Sequence, residues 1–295
     1  MNEIYKGNIS ANGIDFHYLE AGEGPLVLCL HGFPDNADTY RSLMPLLADA
    51  GYHAVAPFMR GYAPTGLAPD GRYDSALLGL DVSALIDVLG TGHAAAVIGH
   101  DWGAFATYSA AAFVPEKIGK IVTIAIAHPG ALLGKIGLEY EVIKGGWHAY
   151  FFQMPGAEQA VAHNDYDFLL RWWQDASPGL AIPADLIAGV KDTFRNEGTL
   201  EAALNYYRHT FNPAGADPKL AELTQTLAGP TTVPCLAFHG TRDRPGRLET
   251  FESMDHLFSN GLEKVVLEGT GHFLHLERPD EVNEKILAYL ASEHH

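Results

Sequence analysis

Apolar and polar residues along the chain follow patterns typical of strands that alternate with helices. Residues 12–22, around IDFHYLEAG, alternate as an early strand of a hairpin does. The runs PLVLCLHGF and YHAVAPF predict buried strands, and the leucine spacing over residues 38–50 predicts a helix between them that ends at Gly51. A further helix is predicted to be capped by Asp74 and to end at Gly90.

The alternation of strands and helices continues for two more strands, is interrupted after residue 129 and returns near residue 231. AAAVIGHD and KIVTIAIAH predict two more strands, separated by a helix that starts at Gly103. Residues 130 to about 230 contain helical stretches and aromatic clusters without a strand pattern. VPCLAFHG and KVVLEG predict strands again, each followed by a helix, the first near residues 247–258 and the last from about Pro279.

This organisation predicts an α/β fold with a mostly parallel sheet flanked by helices. Residues 1–129 and 231–295 are predicted to form the core. Residues 130–230 are predicted to form a helical insertion that follows the strand KIVTIAIAH.

Composition excludes several classes of partner. The 295-residue chain has a net charge of −17, which repels nucleic acid and anionic membrane surfaces. The two cysteines, Cys29 and Cys235, lie in apolar strand-like runs and are predicted to be buried free thiols. The polar N-terminal stretch lacks an apolar signal-peptide core, and no apolar run is long enough to span a membrane. A cytoplasmic location is therefore expected.

The segment GHDWGAF has the frame of a nucleophile elbow, G-x-S-x-G, but carries an aspartate at its centre. Gly99 and Gly103 leave space for a sharp turn between a strand and a helix. Asp101 is therefore expected at the carboxyl end of a parallel strand, where open α/β sheets bind ligands. The neighbouring helix N-terminus favours the ionised carboxylate.

Two later segments supply partners for this aspartate. Asp243 follows the strand VPCLAFHG, and His272 lies in the loop between KVVLEG and the last helix. The order nucleophile, acid, histidine is that of α/β-hydrolases, and all three residues fall just past predicted strands. His275 is the less favoured alternative to His272. His272 and His275 are three residues apart, but no cluster of further candidate metal ligands accompanies them, and the zinc-binding motif H-E-x-x-H is absent. A functional metal is therefore not predicted.

The segment HGFPD directly follows a predicted core strand. In this architecture such a loop supplies one backbone N–H of an oxyanion hole, and the residue after the nucleophile supplies the other. Phe33 and Trp102 are the two candidates, whereas His31 is interpreted as structural.

With these motifs, the chain resembles α/β-hydrolases of the epoxide hydrolase family, which is related to the haloalkane dehalogenases. The similarity runs from about residue 12 to residue 291 through HGFPD, GHDWGA, YFFQMPGAE, LNYYR and GTGHFLHLERPDEV. The resemblance implies an eight-stranded core, a helical cap inserted after the sixth strand, a cis peptide between Phe33 and Pro34, and no cofactor.

The aspartate also predicts the type of reaction. A serine that attacked a saturated carbon would leave an ether, which water does not cleave, whereas a carboxylate leaves an ester. We therefore expect substitution at carbon by Asp101, followed by hydrolysis of the alkyl-enzyme ester by water that His272 and Asp243 activate. Epoxides and alkyl halides both fit this scheme.

The resemblance implies two side chains in the cap that bind the epoxide oxygen. The match to LNYYR gives Tyr207 one of these positions, while Tyr206 is expected to point elsewhere. His148 stands where the family usually has a tyrosine, and Tyr150 is the alternative second donor. A neutral histidine can donate through one ring nitrogen.

Aromatic residues are the candidates for an apolar substrate pocket. The predicted substrate-binding side chains are Phe33, Trp102, Trp147, Phe151 and Phe152.

The favoured hypothesis is an epoxide hydrolase that converts a small apolar epoxide and water into a vicinal diol. One alternative is a haloalkane dehalogenase, although many of these carry an asparagine where this chain has Phe33. A second alternative is a ligand-binding protein that retains the scaffold without the reaction. A homodimer is compatible with the resemblance.

Overall fold

The computed structural model describes residues 3–212 and 217–292 of the chain. Its central feature is a sheet of eight strands. The strands are β1 Tyr5–Ala11, β2 Ile14–Ala21, β3 Leu26–Leu30, β4 His53–Pro57, β5 Ala94–His100, β6 Ile118–Ile124, β7 Cys235–Gly240 and β8 Leu262–Leu267.

The sheet is parallel except at one edge. Its order is β1-β2-β4-β3-β5-β6-β7-β8. β2 pairs antiparallel with β1 and with β4, and every other neighbouring pair is parallel. The predicted mostly parallel, eight-stranded α/β fold is therefore confirmed. The pattern of the sequence indicated a hairpin here but did not locate β1.

Helices cover the sheet and fill the interval between β6 and β7. The α-helices are α1 Met44–Asp49, α2 Ser75–Leu89, α3 Trp102–Phe113, α4 Pro129–Leu132, α5 Tyr140–Gly145, α6 Trp147–Phe151, α7 Ala157–Ala176, α8 Ala184–Phe194, α9 Thr199–Phe211, α10 Ala221–Thr226, α11 Leu248–Glu252, α12 Leu274–Glu277 and α13 Pro279–Ala291. Among the described residues, none of these helices combines the length and the apolar character needed to cross a membrane.

Helices α4 to α10 span residues 129–226, and the described residues of the predicted insertion contain no strand. An isolated β-bridge pairs Thr231, directly after the insertion, with Phe258. Helix α7 is interrupted at residues 163–166, where Asn164, Asp165 and Tyr166 have positive φ angles. The outer limits of the predicted core, residues 1 and 295, lie outside the described residues.

Two predicted local features differ in the structure. The helix expected over residues 38–50 is divided into a 3-10 turn at Ala37–Tyr40 and the short helix α1. Asp74 occupies the N-cap position of α2, but its carboxylate pairs with Arg72 at 2.7 Å instead of capping the helix. Both cysteines are buried and free, as predicted.

Helix α3 lies unusually close to the sheet. A Cβ atom on Gly103 would lie 1.9 Å from the backbone oxygen of Leu30 in β3, and one on Gly99 would lie 2.1 Å from the Gly103 oxygen. Atoms cannot approach so closely, so both positions require glycine. This contact fixes the first turn of α3 against the carboxyl ends of β3 and β5.

We predict that Gly103→Ala lowers the free energy of unfolding by about 2 kcal/mol or more, because the methyl group must displace backbone. Gly134→Ala is the matched control, since a Cβ there meets no atom within 4 Å, and its effect should stay within about 1 kcal/mol. Urea denaturation of both variants measures the difference. Equal stabilities would show that α3 moves away from the sheet at little cost.

Candidate active site

Asp101 occupies the sharp turn between β5 and α3. Its φ angle is 53° and its ψ angle −118°, a strained conformation for a residue with a side chain. The side chain is mostly buried and projects at the carboxyl edge of the sheet. The sequence motif thus forms the expected strand–turn–helix element.

The structure brings the two other predicted members of the triad to this carboxylate. His272 Nε2 lies 3.3 Å from Asp101 Oδ2, and His272 Nδ1 lies 3.0 Å from Asp243 Oδ2. The Gly246 N–H also donates to Asp243 Oδ1 at 2.8 Å. His272 and the Asp243 side chain are fully buried. One imidazole therefore connects two carboxylates.

These contacts control the charge of the imidazole. Burial lowers the pKa of His272, but the charges of Asp243 and Asp101 and their hydrogen bonds raise it to about 10. Burial likewise opposes ionisation of Asp243, yet His272 holds its pKa below the usual value. The imidazolium therefore stabilises the fold fully below pH 6.5, and this contribution is lost as the pH rises through about 10.

The loop after β3 contacts the other oxygen of the Asp101 carboxylate. The Phe33 N–H donates to Asp101 Oδ1 at 2.8 Å, and the Phe33–Pro34 peptide is cis, as the resemblance implied. A Cβ atom on Gly32 would lie 2.4 Å from Asp101 Oδ1 and 2.7 Å from the Trp102 nitrogen. Glycine at this position lets both candidate oxyanion donors, Phe33 and Trp102, approach the carboxylate.

The side chain of His31 binds backbone groups of the neighbouring loops. Its Nδ1 donates to the Gly32 carbonyl and its Nε2 accepts from the Met59 N–H. Both ring nitrogens are thus used in holding the loop, in agreement with the structural interpretation.

A cavity of about 80 Å³ opens beside Asp101. Its polar side chains are few, and among the described lining residues Asp101 is the charged one. The lining residues are Asp101, Trp102, Phe105, Ile126, Leu132, Ile136, Val142, Gly146, His148, Ala149, Tyr150, Tyr207, Phe211 and Pro245. The arrangement can hold a small, uncharged and largely apolar molecule against the carboxylate.

His148 and Tyr207 face this cavity from two helices, α6 and α9. Both are buried, their rings lie 5.5 Å apart, and His148 Nδ1 and the Tyr207 hydroxyl have no hydrogen-bond partner among the described residues. Burial lowers the pKa of His148 to about 4 and raises that of Tyr207 well above 10. At neutral pH both groups are therefore uncharged.

The neighbouring tyrosines differ from this pair. Tyr206 points away, and its hydroxyl donates to the Arg60 carbonyl at 2.7 Å, as expected from its place on the helix. Tyr150 also lines the cavity but is 39% exposed.

Of the five predicted substrate-binding side chains, only Trp102 lines the cavity. Phe33 and Phe152 are fully buried and pack on each other behind it. Phe151 stacks on Phe168, and Trp147 borders a separate open groove of about 600 Å³. Three of these four side chains therefore pack against neighbouring aromatic rings, and Trp147 is 45% exposed.

The residues that line the cavity in their place were not singled out from the sequence. They are mostly aliphatic, as Leu132, Ile136 and Val142 are, and they come from short helices and turns. Such residues give no motif, so only helical periodicity could have suggested them, and these helices are too short to show it.

Sequence reasoning also missed a buried cluster behind the triad. Asp35, His100 and His275 are fully or almost fully buried, and one ligand atom from each lies within 4.8 Å of the others. These three residues could hold a metal ion. His100 Nε2 donates to the His272 carbonyl, and His275 Nε2 lies 2.8 Å from Thr39 Oγ1. His275 thus contacts neither Asp101 nor Asp243, which supports the choice of His272.

Comparisons with known proteins identify the family of the fold. A model of the alpha/beta hydrolase fold family matches residues 25–279. The AB hydrolase superfamily protein YfhM of Bacillus subtilis is 31% identical over 296 residues, which cover 97% of both chains. Epoxide hydrolase 4 of Homo sapiens is 30% identical over 298 residues, covering 97% of this chain and 78% of that protein. The crystal structure of epoxide hydrolase VrEH1 from Vigna radiata superposes with a TM-score of 0.80, at 26% identity and 98% coverage of each chain.

A mostly parallel sheet with Asp101, His272 and Asp243 at its carboxyl edge is typical of one class of enzyme. The chain belongs to the α/β-hydrolase family. Within that family it is similar to proteins named epoxide hydrolases, which confirms the resemblance drawn from its motifs.

We predict that Asp243→Asn lowers the pKa of His272 by about 1–3 units, since a carboxylate in contact with the imidazole is removed. Histidine-selective NMR titration measures the change. Asp175→Asn is the control, because that carboxylate is exposed and pairs with Arg244, and it should leave the titration of His272 unaltered. A pKa that stays near 10 in Asp243→Asn would contradict the assigned contact.

Proposed function

We propose that this protein is an epoxide hydrolase that converts a small apolar epoxide into a vicinal diol through an ester on Asp101. The observation that carries the proposal is the position of this carboxylate. It borders an apolar cavity, with His272 on one of its oxygens and two uncharged hydrogen-bond donors on the cavity wall. Relatives named epoxide hydrolases support the substrate class.

The first step is ring opening. The Asp101 carboxylate attacks an epoxide carbon, and the carbon–oxygen bond of the ring breaks. Tyr207 and His148 donate hydrogen bonds to the departing oxygen, since both are neutral and their buried polar atoms lack other partners. The buried, neutral His148 suits this role better than the exposed Tyr150. The alkoxide takes up a proton and becomes the first hydroxyl of the product.

Alkylation changes the charge state of His272. In the resting site the negative charges of Asp243 and Asp101 help to raise the pKa of its imidazole to about 10, so it carries a proton. The ester removes the charge of Asp101, and the pKa of His272 falls. Its proton can then be released to the new alkoxide by way of the cavity donors. The same event that forms the ester therefore produces the neutral base that its hydrolysis requires.

The second step is hydrolysis of the ester. Neutral His272 takes a proton from water, and the resulting hydroxide attacks the ester carbonyl of Asp101. The oxyanion forms where Asp101 Oδ1 accepts the Phe33 N–H, and the Trp102 N–H is the second donor. In the collapse of this intermediate the bond between the Asp101 carbonyl carbon and the alkyl oxygen breaks, and that oxygen receives the proton of the newly added hydroxyl. The diol is released, and the Asp101 carboxylate and the His272 imidazolium of the resting site remain.

The helical insertion supports this chemistry as a cap. In this proposal residues 130–230 close the site over a core formed by residues 1–129 and 231–295. The insertion supplies His148 and Tyr207, whereas Asp101, Asp243 and His272 come from the core. Closure by apolar helices excludes bulk water and strengthens the electrostatic interactions within the cavity.

We expect His272→Gln to trap the ester. Ring opening by Asp101 remains available, whereas hydrolysis lacks its base. Intact-mass analysis after exposure to a panel of small epoxides should show one adduct that maps to Asp101. Asp101→Ala is the control and should stay unmodified. An adduct elsewhere, or none with any epoxide, would refute the proposed function, and halide release from alkyl halides would favour a dehalogenase instead.

The ring-opening donors are tested separately. We predict that His148→Phe and Tyr207→Phe each slow formation of the ester by about 10²-fold, because a hydrogen bond to the developing alkoxide is lost. Tyr150→Phe should slow it less than about threefold, since its exposed hydroxyl is hydrated. Single-turnover kinetics followed by mass spectrometry give these rates. If Tyr150→Phe proved the slower variant, Tyr150 would replace His148 in the mechanism.

A further inference from the structure

A second imidazole lies beside the acid of the triad. His239, at the end of β7, has its Nε2 4.0 Å from Asp243 Oδ2, and the two side chains are 1% and 0% exposed. Asp243 Oδ2 is the same oxygen that His272 Nδ1 contacts at 3.0 Å. One carboxylate oxygen is therefore close to two histidines, of which the mechanism uses one.

Both ring nitrogens of His239 face oxygen acceptors. Nδ1 lies 2.9 Å from the Gly240 carbonyl oxygen and must donate to it, because a carbonyl only accepts. The neutral ring then has a bare lone pair on Nε2, directed toward a carboxylate. Among the described residues this Nε2 has no hydrogen-bond partner. Only the imidazolium, with a proton on each nitrogen, matches both neighbours.

Gly246 lies beside both the His239 imidazole and the Asp243 carboxylate. A Cβ atom on Gly246 would lie 2.9 Å from His239 Nε2 and 3.0 Å from Asp243 Oδ2. Glycine there leaves the imidazole and the carboxylate free to approach each other, with no side chain between them. Phe251 of α11 packs on the imidazole with ring centroids 5.0 Å apart, so the ring is held in this orientation.

We infer that His239 is a positioning residue for Asp243. When His239 takes up a proton, its Nε2–H competes with His272 for Asp243 Oδ2. Asp243 then stabilises the charged His272 less well, and His272 becomes a weaker base for hydrolysis of the ester. The effect on turnover rests on the proposed function, whereas the competition for the carboxylate does not.

The surroundings place this protonation on the acid side of neutrality. Burial lowers the pKa of His239 below its ordinary value, and the positive charge of His272 adds to that effect. Asp243, Glu249 and the Gly240 carbonyl act in the opposite direction without overcoming burial. His239 is therefore mostly neutral at pH 7 and above, and it becomes charged as the pH falls below the ordinary pKa range of a histidine.

The test uses two variants in which an amide side chain replaces the His239 imidazole. His239→Asn retains an N–H for the Gly240 carbonyl and removes the titrating nitrogen. We expect log kcat of the native protein, measured with styrene oxide, to fall more steeply on the acid side than that of His239→Asn, which should fall with a slope of about one. His239→Gln, which directs a permanent N–H toward Asp243, should lower kcat at about pH 8 by several-fold.

The control is another buried histidine, which is not among the residues that line the cavity. His128 accepts from the Gly130 N–H at the start of α4, and burial lowers its pKa to about 4. His128→Asn removes a titrating imidazole while keeping an acceptor for that N–H. Its pH profile should coincide with the native one. If the His239→Asn profile also coincides with the native one, the inference is wrong.

A measurement without substrate separates this inference from the proposed function. In histidine-selective NMR titrations of the resting protein, protonation of His239 should shift the His272 signals over the same pH range. His239→Asn should abolish that shift, and His128→Asn should retain it. If no epoxide is turned over but the coupled shift is present, the proposed function fails and the role of His239 stands. Independent titration of the two imidazoles would overturn it.

Discussion

One buried imidazole between two carboxylates is the interaction on which the site depends. His272 lies within hydrogen-bond distance of Asp101 on one ring nitrogen and Asp243 on the other. Burial alone would deprotonate this ring, so its charge exists only because both acids are ionised. A reaction that neutralises one acid must therefore change the protonation of the histidine. The proposed two-step chemistry uses this coupling.

Holding these groups together requires backbone segments to approach more closely than side chains allow. Gly32, Gly99 and Gly103 each lie where a Cβ atom would overlap neighbouring atoms. They bring the loop after β3, the turn after β5 and the first turn of α3 to one point. Asp101 itself has a positive φ angle there. The strain of this turn is sustained by the packing of α3 on the sheet.

Burial shifts the pKa values of the groups around the cavity in opposite directions, down for His148 and up for Tyr207. It keeps His148 unprotonated and Tyr207 protonated, because in both cases it disfavours the charged form. The result is a cavity wall with two neutral hydrogen-bonding groups and a single negative charge at Asp101. Such a surface favours a polarisable, uncharged substrate over an anion. The same physical effect keeps His239 neutral beside Asp243.

The sequence by itself determined the features that depend on neighbouring residues. The turn at Asp101 and the order of the candidate triad follow from short motifs, and the structure agrees with them in geometry. The choice of Tyr207 over Tyr206 followed from the resemblance of LNYYR to the family's motif, and Tyr207 lines the cavity whereas the Tyr206 hydroxyl binds the Arg60 carbonyl. Only the tertiary structure decided which apolar side chains line the cavity: Phe152 packs behind it, whereas Phe211 and Ile136 face it. The proximity of His239 to Asp243 is also a tertiary feature. Burial of an aromatic ring is favourable against any apolar neighbour, so its hydrophobicity does not reveal which neighbour it meets.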